Sequence, residues 1–227
     1  MNSVRDYFQV LRAIIWKDLK MEWRNRELIS GMLMFALLMI LIFNFALELE
    51  SHTSAGLSAG VLWVTLIYSG AIGINRSILS ERENNCLDSL LLAPTDRSAI
   101  FFGKAVGIWV VMLAASAVLL PVYSMLYSVF LLKDGFFLVI ILGTAGYALA
   151  GTLLAGMSAQ SRARDSLLPL LLLPVTFPLI LASVKTSTGL LQGFALADVQ
   201  TWISLLVVYD ILFIVLGLLL FERIVEE

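Results

Sequence analysis

Apolar residues in this chain come in continuous blocks, and short polar stretches separate the blocks. Six such blocks occupy residues 29–47, 57–74, 105–132, 136–158, 167–184 and 201–221. Each is about the length a helix needs to cross a hydrocarbon layer roughly 30 Å thick. A transmembrane barrel would require apolar and polar residues to alternate, so unbroken blocks predict helical spans. Ahead of them, Val4, Tyr7, Phe8, Leu11, Ile15, Leu19 and Trp23 recur at helical spacing, with Arg5, Asp6, Arg12, Lys17, Lys20 and Glu22 between them. Residues 4–26 therefore predict an amphipathic helix lying in the membrane interface. The plainer alternative is an ordinary helix packed on the rest of the protein. The expected fold class is all-α: one membrane domain over residues 1–227, with six spans and an N-terminal interfacial helix.

Individual blocks carry further signals. Residues 105–132 would form a helix of roughly 42 Å, longer than the membrane core, so it must tilt, protrude or bend, with Pro121 as the natural bend. Along 136–158, Gly143, Gly146, Gly151 and Ala155 recur at three- to five-residue spacing. Such a face lets helices approach closely, although glycine is also simply common in membrane helices. Block 167–184 holds Pro169, Pro174 and Pro178. Prolines spaced this way argue against a regular helix and for a segment buried in the bundle or lining a cavity. Residues 185–200 read as a polar connection whose apolar middle dips into the interface or forms a short helix.

Composition agrees with this pattern. Mean hydropathy is +0.94, with 60% apolar and only 14% charged residues, against about 25% charged in soluble domains. The net charge of -2 says less than its distribution. If six spans alternate the loops between two sides, one side collects all of the 15 Lys and Arg residues except Lys133 and Lys185. Short loops with that bias face the cytoplasm, which places both termini inside. It also puts the glycosylation-like triplet Asn75, Arg76 and Ser77 on the wrong side for modification. The charged, amphipathic start precedes any apolar core, the reverse of a secretory signal.

Catalytic chemistry is not indicated. A single cysteine, Cys86, and a single histidine, His52, exclude a disulfide framework, a cysteine metal cluster and multi-histidine ligation within the chain. No phosphate-binding loop is present. The expectation is a non-enzyme without metal or directly bound cofactor, and without a nucleic-acid partner.

Two features remain. Residues 76–104 are the longest charged interruption. Within them Asn85 can cap a helix starting at Cys86, Asp88 suits its positive end, and Leu87, Leu90 and Leu91 share a face. Pro94 stops it, and Thr95 or Asp96 can cap the next helix through Arg97 and Lys104. A short helix with leucines on one side and Glu81, Arg82, Glu83 and Asp88 around it suits a groove on a partner; it serves equally as an elbow touching lipid headgroups. The second feature is Asp210, well inside the sixth block. A carboxylate there is costly unless it faces a cavity, is protonated or has a partner, so it reads either as a lining or gating group or as half of a buried hydrogen bond.

The stretch GVLWVTLIYSGAIGINRSILSERENNCLDSLLLAPTDRSAIFFGK, residues 60–104, together with AQSRARDSLLPLLLLPVTFP at 159–178, resembles the heme exporter protein B (CcmB) family. That family supplies the membrane subunit of the ABC-type complex of cytochrome c maturation. The resemblance implies a type-2 ABC exporter-like permease in the bacterial cytoplasmic (inner) membrane. Two copies would pair, each docked on a separate cytoplasmic ATPase subunit. The short helix of the 76–104 loop would then be a coupling helix, with Arg82, Glu83, Leu87, Asp88, Leu90, Leu91, Pro94 and Arg97 at the ATPase contact. By the same resemblance, ATP is hydrolysed in the partner. Heme is handled by a separate membrane protein and released on a heme chaperone, and this chain serves as the coupling permease. A generic type-2 permease exporting a lipid, a polysaccharide or a drug is the alternative.

Overall fold

The computed structural model describes residues 3–46, 55–83, 97–127, 129, 135–158 and 164–224. They form seven helices: α1 Ser3–Asn25, α2 Glu27–Ala46, α3 Ala55–Glu83, α4 Arg97–Tyr127, α5 Phe136–Ser158, α6 Arg164–Gln192 and α7 Gln200–Ile224. Six of them, α2 to α7, are long and apolar enough to cross a membrane. The protein is an all-α, polytopic membrane protein, with no strand among the described residues.

The bundle is organised around α5. It packs against α3, α4, α6 and α7 and is the most buried of the six candidate spans. By contrast α2 and α7 bury few of their residues, as helices that meet lipid on one side must. Helix α1 packs along α4 and makes far less contact with α2. Among its described side chains the most buried is Ile14, which the expected apolar stripe did not include. Phe8, Trp16 and Trp23 point outward, 62%, 56% and 79% exposed.

The turn from α1 into α2 is tight. Arg26 adopts a left-handed conformation at φ 54°, uncommon for a residue with a Cβ. An arginine at this junction offers no side-chain oxygen to the free amides at the start of α2. Glu22 of the preceding helix supplies one instead, its Oε1 accepting from the Ile29 amide at 2.7 Å. A third helix holds the junction too, because Arg76 Nη1 donates to the Glu27 carbonyl at 3.3 Å.

Three expectations change. Helix α3 runs beyond its apolar block to Glu83, because residues 75–83 contain no proline or glycine to stop it. Helix α6 is continuous through Pro169, Pro174 and Pro178. Pro174 and Pro178, four residues apart, lie on an exposed face, while Leu172, Thr176 and Leu179 form the buried one. The donors lost at Pro174 and Pro178 are thus on the outer side. The segment from Lys185 onward is not a loop either, since α6 continues to Gln192 and closes at Gly193. There the Gly193 amide donates to the Leu190 carbonyl at 3.1 Å and the Phe194 amide to the Gly189 carbonyl at 3.0 Å. That bond pair, with Gly193 at φ 93° and Phe194 packed on Gly189, is a Schellman ending. Pro121 sits inside an unbroken α4.

Candidate functional site

The polar and small residues singled out from the sequence fall in two places, one in the bundle interior and one at the end of α3 and start of α4. In the interior, α5 presents its glycines to three neighbours. Trp63 of α3 lies over Gly143, where a Cβ would stand 2.6 Å from its Cζ3. Asp210 and Tyr209 of α7 lie over Gly146, and Ile74 of α3 lies over Gly151. Ala155, on the same helix, is buried. A side chain at any of the three glycines would have to displace a neighbour. The Trp63 ring is further held by its Nε1, which donates to Ser187 Oγ of α6 at 2.9 Å.

Several hydroxyls of the interior close their bonds locally, whereas those of Thr65, Tyr147, Thr152 and Ser183 find no partner among the described residues. Thr144 donates to the Ile140 carbonyl at 2.6 Å, Thr176 to the Leu172 carbonyl at 2.7 Å and Thr186 to the Ala182 carbonyl at 2.8 Å. Between helices, Trp109 Nε1 donates to Thr144 Oγ1 at 3.2 Å, Tyr127 to the Ile40 carbonyl at 3.2 Å, and Tyr123 to the Ser58 carbonyl. These bonds tie α4 to α2, α3 and α5. In a medium without water they are worth roughly 0.6 kcal/mol each on average.

Asp210 differs from this pattern. It is 8% exposed, and its Oδ1 has no hydrogen-bond partner among the described residues. Thr144 of α5 does not serve it, since that hydroxyl is engaged by Trp109 and the Ile140 carbonyl. Tyr209 beside it donates instead to the Val175 carbonyl of α6 at 3.2 Å.

The second place is the end of the charged interruption. Arg82 and Glu83 lie in the last turn of α3, and Arg97 opens α4. Leu87, Asp88, Leu90, Leu91 and Pro94, with the short helix expected around them, lie outside the described residues. Just past Arg97, α4 carries the contact that binds α1. Gly103 lies under Ile14, at 2.7 Å from a Cβ placed there, and Gly107 lies under Asp18 at 3.6 Å. Spacing of small residues by four was readable at 103 and 107, and that is the signal the sequence reading passed over. Of the described residues, no group of His, Cys, Asp or Glu is arranged to hold a metal ion.

Comparison with known proteins agrees along the length of the chain. Residues 9–224 match the model of the family described as CcmB protein. Heme exporter protein B of Pseudomonas aeruginosa is 21% identical over 86% of this chain and 88% of its own length. The proteins of the same name from Paracoccus denitrificans and Bradyrhizobium diazoefficiens are 25% and 22% identical. They cover 84% and 81% of this chain, and 87% and 83% of their own lengths.

Proposed function

Because the chain belongs to the CcmB protein family, we propose that it is the membrane permease subunit of an ATP-driven complex that exports or delivers heme for cytochrome c maturation. The observation that carries this reading is the family match over residues 9–224 on a chain with six helices fit to cross a membrane. In this reading the chain sits in the bacterial inner membrane with both termini in the cytoplasm, as the distribution of its Lys and Arg residues favours.

The chain contributes no catalytic centre. ATP is hydrolysed in a separate cytoplasmic subunit that docks on the loop between α3 and α4. Arg82, Glu83, Leu87, Asp88, Leu90, Leu91, Pro94 and Arg97 make that contact. A second copy of the chain completes the permease, and heme is held by a partner membrane protein and passed to a chaperone. Two features of the structure support the coupling route. Helix α3 continues without a break to Glu83, and α4 begins at Arg97, so the loop is anchored at both ends on helices that reach the bundle core. Motion imposed at the loop is then carried into α3 and α4 without a flexible link beyond it.

The test is a Leu90→Asp/Leu91→Asp double variant, expressed with its ATPase and purified in mild detergent. Membrane insertion is expected to be retained, with loss of the co-purifying ATPase and of heme attachment to c-type cytochromes. Undiminished recovery of the ATPase would reject the docking assignment. Normal cytochrome c assembly in cells lacking the chain would reject the function.

A further inference from the structure

Helix α1 has two unlike sides. Its described acids face the protein: Asp18 lies over Gly107 of α4 and is paired with Lys17 at 3.2 Å, and Glu22 accepts from the Ile29 amide. On the other side Phe8, Arg12, Trp16, Lys20 and Trp23 follow one another at spacings of four and, at the end, three, and all five are exposed. Aromatic and basic residues thus alternate along one outward row, with exposed Arg24 beside its end. None of the exposed side chains described on α1 is acidic. Within the row, Lys20 Nζ stands 4.9 Å from the centroid of the Trp16 ring, so cation and aromatic are already held together.

The neighbours of α1 fix its depth. Gly103 and Gly107, under Ile14 and Asp18, straddle the start of the apolar block 105–132. The far end of the helix leads into Glu27, whose carbonyl accepts from Arg76, two residues past the end of the apolar block 57–74. Both places mark where apolar sequence gives way to charged sequence, on the side of the bundle that the 76–104 loop occupies. Roughly 17 Å of helix from Ile14 to Asn25 therefore begins and ends at one level, which a helix crossing the membrane could not do. Helix α1 lies along the boundary, and its outward row meets the layer where lipid phosphates sit above the first acyl carbons.

The row suits that layer in both of its chemistries. Trp and Phe rings settle at the level of the headgroups and the upper acyl chain. Arg and Lys reach phosphate oxygens with charge-assisted hydrogen bonds. Three exposed cations with no acid beside them on that face favour a headgroup of net negative charge over a zwitterionic one. At the junction Arg26 and Glu27 are both exposed and offset each other, so the selective charge resides in the row.

We propose that the outward row of α1 is a binding surface for anionic phospholipid of the cytoplasmic leaflet, with Arg12, Lys20 and Arg24 on the headgroups and Phe8, Trp16 and Trp23 among the upper acyl carbons. Of the proposed function it takes only the side of the membrane, on which binding in a symmetric vesicle does not depend.

The test is quenching of tryptophan emission in the full chain, reconstituted in phosphatidylcholine vesicles. A fixed fraction of the lipid is brominated near the top of the acyl chain, as phosphatidylglycerol in one set and as phosphatidylcholine in the other. The emission of Trp16 and Trp23 is taken as the difference between the unaltered chain and a Trp16→Phe/Trp23→Phe variant. Brominated phosphatidylglycerol is expected to quench this difference about twofold or more better than brominated phosphatidylcholine, and high salt should shrink the gap. Arg12→Gln/Lys20→Gln/Arg24→Gln should abolish the preference while leaving quenching by phosphatidylcholine in place. Equal quenching by the two lipids in the unaltered chain would overturn the proposal. So would quenching by neither lipid, whether acrylamide then reaches the two tryptophans, as on a face turned to water, or fails to, as on a face covered by protein. Should the triple variant fail to fold, the comparison of the two lipids in the unaltered chain decides alone.

Discussion

Gly143 and Trp63 offer a quantitative test of the packing around α5. A methyl group on Gly143 would lie 2.6 Å from Trp63 Cζ3, in contact with Cη2, and 2.9 Å from Ser183 Oγ. The indole is 1% exposed and tethered to Ser187 through Nε1, so it has little room to withdraw. Overpacking of this kind costs about 1–3 kcal/mol. Trp63→Phe removes the outer ring atoms that the methyl would strike, at a separate cost of roughly 1–3 kcal/mol for the cavity and the lost bond to Ser187. The double variant should therefore be less destabilised than the two single losses combined, with a coupling of about 1 kcal/mol or more. Gly60→Ala is the control. It lies in α3 with nothing within 4 Å of a new Cβ, and alanine at such a site stabilises by up to about 1 kcal/mol. Unfolding by SDS in mixed micelles, followed by far-ultraviolet circular dichroism, measures the four variants against the unaltered protein without relying on tryptophan emission. Additive losses in the double variant, or a Gly143→Ala protein as stable as Gly60→Ala, would refute the packing argument.

Two further predictions concern α1. Gly103→Leu should push Ile14 out of its seat and loosen α1 from α4 by about 1–3 kcal/mol; the expected readout is faster tryptic cleavage at Arg24 and Arg26, with the rest of the bundle protected. Glu22→Ala should cost about 1 kcal/mol by leaving the Ile29 amide uncapped, seen as faster hydrogen exchange at the first turn of α2 and at no other helix start.

The spans were legible in the sequence because burying a backbone in lipid demands long apolar helices, and that demand writes itself into composition. Residues 136–158 coincide with α5, and the remaining blocks differ from their helices mainly by polar extensions. What could not be read was how helices face one another. The periodicity of α1 has two apolar sides, one holding Ile14 on α4 and one carrying Phe8 and Trp23 outward, and a single stripe drawn through both misses the split. The prolines of α6 misled for a related reason, since their effect depends on which face they occupy. Asp210 stood out as costly from its position alone, but the helices that enclose it come from distant parts of the chain, so its missing partner is visible only in the fold. Of the proposed coupling residues, Arg82 and Glu83 lie on α3 and Arg97 on α4, and their role rests on the family resemblance.

The central position of α5 bears on how the protein is made. The ribosome delivers α5 before α6 and α7, and those two later helices cover much of its surface. During that interval the groove formed by Gly143 and Gly146 has neither Ser183 nor Asp210 against it. It meets acyl chains or the insertion machinery instead. Assembly must therefore tolerate a notched, half-clad helix as an intermediate, and the carboxyl of Asp210 must enter the bilayer as the last span closes the notch.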